Sequence, residues 1–155
     1  MRRLILLLAL PLVACGAENP EPTSAPAPSA FARTREDCTE LAVTALELQP
    51  GVATVFGTHA ELLPKGQFVR IRIALTNTGH QVHDTRAEDY RLIDTAAGAH
   101  RSSIDAMRVK RQLTALQLGA GNRLELDLWY DIPSAATPAE LRDTVCATVI
   151  PLPTG

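Results

Sequence analysis

His80 and His83 stand three residues apart, with Asp84 beside them, in His80-Gln81-Val82-His83-Asp84. Imidazole nitrogens and a carboxylate are the donors that hold Zn²⁺ or Cu²⁺. A loop that follows a strand is a common place for ligands. His80, His83 and Asp84 are therefore the candidate metal ligands, with ordinary loop polarity as the alternative. No third spaced His or Cys accompanies them, and the spacing places neither His59 nor His100. Two methionines, one of them Met1, exclude a Met-rich copper site. For nucleophilic chemistry, Ser102-Ser103 lacks a Gly-x-Ser-x-Gly elbow. The chain has no Gly-rich phosphate loop and no His-Glu-x-x-His. Asp84, Glu88 and Asp89 cluster, but acids in loops are ordinarily solvated. Neither a catalytic activity nor a cofactor is expected.

The N-terminus carries a different chemistry. Arg2-Arg3 precedes an apolar run from Leu4 to Val13, broken only by Pro11. A membrane-spanning helix needs ~20 apolar residues, and this run is about half that, the length of a signal-peptide core. The run ends Leu12-Val13-Ala14-Cys15. This resembles the bacterial lipobox, with an aliphatic residue at −3, a small residue before the cut and Cys after it. The resemblance implies that residues 1–14 are a lipoprotein signal peptide and that the Cys15 thiol takes the lipid. An ordinary secretory signal with an incidental cysteine is the alternative. Each buried CH₂ contributes ~0.8 kcal/mol, so two or three acyl chains anchor a protein stably. The expected place is the cell envelope, on the outer face of the cytoplasmic membrane or on an outer membrane.

Residues 15–37 follow as the lipidated Cys and a linker rich in Pro and Ala, with Pro20, Pro22, Pro26 and Pro28. Such a segment buries too little to offset its ordering entropy, so it reads as a disordered tether. Of the chain's three cysteines, Cys38 and Cys146 then remain. Export implies an oxidising compartment, and a Cys38–Cys146 disulfide is expected, against the alternative of two free thiols. Losing residues 1–14 removes two arginines, so 15 basic residues become 13 against 17 acidic ones, a net −4. That balance excludes a nucleic-acid footprint.

Residues 38–155 must position whatever chemistry remains. Val69, Ile71, Ile73 and Leu75 alternate with Arg70 and Arg72. Leu124, Leu126, Leu128, Tyr130 and Ile132 alternate with Glu125, Asp127, Trp129 and Asp131. Period-2 alternation suits antiparallel strands with one wet face. If these two strands pair, Arg70 and Arg72 meet Glu125 and Asp127 on that face. Trp129 shares it, and an outward Trp is the candidate partner anchor; packing on neighbouring aliphatic stems is the alternative. Leu41–Leu48 reads as a strand closed by Gln49-Pro50-Gly51, and Tyr90–Asp94 with Ala99–Arg101 as a hairpin. Met107–Gln117 is ambiguous between helix and strand, with strand slightly favoured. Thr137-Pro138 has the signature of a helical start. Thr144–Leu152 is the last strand, and Cys146 falls within it. Many short strands with regular turns argue for an all-β sandwich.

Several segments resemble a known family. Gly66-Gln67-Phe68-Val69-Arg70-Ile71-Arg72-Ile73 and then Asn77 look like the opening strand of the telokin-like, immunoglobulin-like domain of bacterial surface lipoproteins. Leu92-Ile93-Asp94 with Gly98, Leu118-Gly119-Ala120-Gly121, and Tyr130-Asp131-Ile132-Pro133 match later segments in order, over roughly residues 40–150. The chain departs at Ala120-Gly121, where Pro-Gly is frequent, and at Tyr130, where Phe is usual. The resemblance implies an immunoglobulin-like antiparallel β-sandwich in the cell envelope and carries no catalytic residues. The expected role is binding of another envelope component, most simply a protein. The alternative is a small-ligand or metal carrier using the His80/His83 loop.

Overall fold

The computed structural model describes residues 38–154. The expected signal peptide, Cys15 and the linker lie outside the described residues. In chain order the strands are β1 (Leu41–Val52), β2 (Val55–Phe56), β3 (Glu61–Leu62), β4 (Gln67–Asn77), β5 (His83–Arg86), β6 (Tyr90–Asp94) and β7 (Ala99–His100). A helix α1 (Ile104–Val109) precedes β8 (Ala115–Leu118), β9 (Arg123–Ile132), β10 (Pro138–Asp143) and β11 (Thr148–Pro151). The chain is all-β in class, and its ladders are antiparallel. Three strands join in the order β1-β4-β9 and four in the order β11-β10-β6-β7; β2-β3 and β5-β8 are separate pairs. Among the described residues no helix is long and apolar enough to cross a membrane.

Alternation explains the main core. Val69, Ile71, Ile73 and Leu75 of β4 are fully buried, as are Leu128 and Tyr130 of β9. They share one apolar cluster with Tyr90 and Leu92 of β6, Leu141 of β10 and Ile150 of β11. Full burial of such a side chain contributes ~1.5–3 kcal/mol, so this cluster is the main source of cohesion. Burial also pushes the Tyr130 hydroxyl pKa well above the ordinary tyrosine value.

Four local expectations give way to the structure. Pro50-Gly51 does not end β1. The strand runs through it with register shifts after Ala45 and after Gln49. Gly51 takes the positive φ (+70°) that the bulge needs, and its N–H donates to Gln67 Oε1 at 3.0 Å. Met107–Gln117 divides into the end of α1, a turn and β8. Six helical residues are too few to write a helical period into the sequence. The helix is capped by Ser103, whose Oγ accepts from the Ala106 N–H at 3.3 Å. Pro138 opens a strand rather than a helix, since the first residue of a strand can do without an N–H. Cys146 lies in the β10–β11 turn and not within β11.

Cys38 and Cys146 are disulfide-bonded, with Cα atoms 5.4 Å apart across 108 residues of sequence. The bond fastens the start of β1 to the β10–β11 turn, and so one sheet to the other.

Candidate interaction site

The outward face of β4 and β9 is not open at Trp129. Trp129 is 5% exposed. Its ring meets Phe68 edge to face, with centroids 6.3 Å apart. Helix α1 packs on β9 and on the β2–β3 pair. Val55, Phe68, Ala106 and Met107 are buried there with Trp129. The Ser103 N–H donates to the Trp129 carbonyl at 2.6 Å, and Ser102 bridges to Tyr130. Ser102 and Ser103 thus seat the helix. Trp129 is a core residue of this second layer and cannot anchor a partner from the surface. Alternation gave its face correctly; a distant segment covers it.

Farther along the same face the charges meet as a cluster. Arg72 Nε donates to Asp127 Oδ1 at 3.1 Å, and Arg70 lies 3.6 Å from Asp127. Glu47, from β1, pairs with Arg70 and lies 4.0 Å from Arg72. The hydrogen bond to Asp127 and its charge raise the Arg72 pKa above the ordinary guanidinium value. Glu125 makes no ion pair with Arg70 or Arg72, because the register sets it opposite Ala74, though its charge adds a little to the raised Arg72 pKa. Its ion pair is with Arg123, at 2.8 Å. Glu47 escaped sequence reasoning because it joins only through the bulge in β1.

The three candidate metal ligands do not converge. His83 opens β5, is 3% exposed, and has Nε2 2.8 Å from Glu40 Oε2. Asp84 follows on the same strand, so its side chain leaves from the other face. His80 is exposed in the loop before them. Asn77 ties that loop down, donating from Nδ2 to the Gln81 carbonyl at 2.7 Å and to the Leu118 carbonyl at 2.8 Å. Among the described residues no three His, Cys, Asp or Glu side chains are grouped to hold a metal. A different pair, Asp94 and His100, sits in the β6–β7 hairpin, with Asp94 Oδ2 2.7 Å from His100 Nε2. Asp94 Oδ1 also accepts from the N–H groups of Ala96 at 2.9 Å and Gly98 at 2.7 Å. The bond to His100, then those backbone bonds, hold the Asp94 carboxyl below the ordinary range. This pair fixes a turn.

The candidate contact surface lies elsewhere. β1 is one edge of the three-stranded sheet and β11 one edge of the four-stranded sheet. The two edges adjoin. Along them lie three cavities of about 290, 410 and 220 Å³ that share lining residues. The disulfide and Asp143 stand at one end, and Leu46, Glu47, Leu48 and Pro153 at the other. Val43 and Ile150 line both larger cavities. Unpaired strand edges are templates for another chain, and proteins ordinarily guard them with charge, Pro or bulges. Here Leu41–Leu46 and Thr148–Thr154 contain no charged residue. Pro50, Pro151 and the bulge at Leu46 guard the far ends only. Ala42, Thr44 and Val149 are exposed along the unguarded stretch. The missing charges were visible in the sequence. That the two edges adjoin was not, because it follows from strand order.

No known protein-family profile matches the chain, and no curated protein does. Among solved structures it is similar to the yjhA protein from Bacillus subtilis. The two are 18% identical with a TM-score of 0.47, over 62% of this chain and 68% of that one. So distant a likeness carries neither fold nor function across.

Proposed function

We propose that the chain is a lipoprotein anchored through Cys15, with an immunoglobulin-like β-sandwich held off the membrane by the linker. The domain binds an extended segment of another envelope protein in the groove between β1 and β11 and performs no catalysis. The observation that supports this reading best is the pair of adjoining edges, uncharged over Leu41–Leu46 and Thr148–Thr154. An extended segment laid there gains main-chain hydrogen bonds along an edge, while its alternate side chains enter the cavities. The antiparallel three- and four-stranded sheets and the β4–β9 pairing are consistent with the immunoglobulin-like reading.

The test places a photo-crosslinking amino acid at Thr44, at Val149 or, as a control, at Arg108 on α1, in the producing cells. One and the same envelope protein joined to Thr44 and Val149 but not Arg108 supports the reading. Products independent of position, or none, overturn it. Loss of fatty-acid labelling in Cys15→Ala tests the anchor separately.

A further inference from the structure

Helix α1 ends in a turn that favours glycine and holds an arginine. The Arg111 N–H donates to the Arg108 carbonyl at 2.9 Å, and the Gln112 N–H to the Met107 carbonyl at 2.8 Å. These paired bonds leave the residue after the cap left-handed, and Arg111 has φ +55°. Glycine takes that conformation freely, whereas any side chain is strained there. An exposed arginine kept at such a position points to a use for its charge. Lys110 precedes it, and its Nζ donates to the Phe56 carbonyl at 3.3 Å. An open depression of about 400 Å³ lies between the two segments, lined by Phe56, Gly57 and Thr58 and by Val109, Lys110 and Arg111.

The same place displays apolar surface. Val55 and Leu62 of the β2–β3 pair turn into the layer under α1, so Phe56 leaves from the other face. Phe56 is 63% exposed, and Leu63, the residue after β3, is 67% exposed. Among the described residues these are the two most exposed large apolar side chains. Arg108 is paired with Asp105, and Glu61 stands cross-strand from Phe56. Glu61, Lys110 and Arg111 together leave this end positive, on a chain whose net charge is −2. An exposed ring beside basic side chains suits the boundary of an anionic bilayer, where the ring enters among the headgroups and the cations stay with the lipid phosphates. We propose that the Phe56 end of the domain, with Lys110 and Arg111, docks on an anionic phospholipid surface. If Cys15 carries lipid, that surface is the anchoring membrane itself. Strand β1 carries the chain 12 residues, ~40 Å, from the Cys38 end toward Phe56. The 22 residues from 16 to 37 reach up to ~70 Å, enough to let this end fold back onto the membrane. Only the choice of membrane rests on the lipoprotein reading; the docking surface does not.

The described core and its disulfide lie wholly within residues 38–154. The test therefore uses the chain from Gly16 onward, without the apolar leader and Cys15, so that neither carries it to lipid. Sedimentation with phosphatidylcholine vesicles is measured with and without phosphatidylglycerol, beside Tm. Saturable binding that requires phosphatidylglycerol supports the proposal if Phe56→Ser weakens it at least fivefold and Arg142→Gln leaves it unchanged. Arg111→Gly is expected to weaken it about fivefold, the loss for one cation at an anionic surface. That variant is expected to keep or raise the parent Tm, because glycine relieves the turn, so its lost binding is not lost folding. No binding to either vesicle overturns the proposal, as do binding indifferent to phosphatidylglycerol and equal binding in the Phe56 and Arg111 variants. Self-association that Phe56→Ser abolishes, in place of vesicle binding, overturns it in favour of a contact between copies. Failure of fatty-acid labelling at Cys15 would leave each of these outcomes as it stands.

Discussion

Trp129 and Phe68 lie on the outward face of the three-stranded sheet, yet their rings meet edge to face in a dry layer beneath α1, with centroids 6.3 Å apart. Trp129 is the chain's single tryptophan, so its fluorescence reports on that layer alone. The folded protein is expected to emit at short wavelength and to resist quenching by acrylamide. Trp129→Ala is expected to cost ~3–5 kcal/mol in denaturant unfolding, the range for an emptied aromatic site. Trp129→Phe is expected to cost less, because it also removes an indole N–H that finds no acceptor among the described residues.

The Cys38–Cys146 bond closes a loop of about a hundred residues, for which chain entropy gives up to ~4.7 kcal/mol. Reduction, or the double variant Cys38→Ser, Cys146→Ser, is therefore expected to lower Tm clearly. An equal Tm with and without reductant would show that the two sheets hold without the bond.

Folding lowers the pKa of Asp94, so its stabilising contribution belongs to the ionised form. That contribution is complete above the ordinary aspartate value of 3.8 and is lost as pH falls through the lower folded value. Asp94→Asn is expected to be less stable than the parent at neutral pH, with the gap closing in that acid range. Paired thermal melts from neutral pH down to the acid limit check this.

Gly66 is a glycine because the β9 strand end leaves no room for a side chain. A Cβ there would stand 2.2 Å from the Ile132 carbonyl oxygen and 2.8 Å from the Ser134 nitrogen. Both are backbone atoms, held in part because Asp131 accepts from the Lys65 and Gly66 N–H groups at 2.9 and 3.2 Å. Gly66→Ala is expected to cost at least ~1–3 kcal/mol in chemical denaturation, as overpacking does.

The long strands were legible because one face of each is buried. Ile71 and Leu128 sit where alternation puts them, as does the Tyr90–Asp94 hairpin strand. Short elements were not. Residues 104–109 form a helix because of a Ser103 cap and the β9 surface it covers, and neither writes a period into six residues. That same helix decides Trp129, whose face was readable and whose cover was not. His83 read as a ligand because its partner Glu40 is 43 residues away in sequence. The groove was hidden for the same reason: its walls, β1 and β11, open and close the domain.

The most direct test of the account is to guard the open edges with charge. Ala42→Lys and Val149→Glu place a charge on exposed positions of β1 and β11, the glutamate opposite Arg142 of β10, where it meets an opposite charge. With the photo-crosslinker at Thr44, both variants are expected to keep the parent Tm and to lose the crosslink to the envelope protein. A crosslink that survives both substitutions at full yield would contradict edge binding.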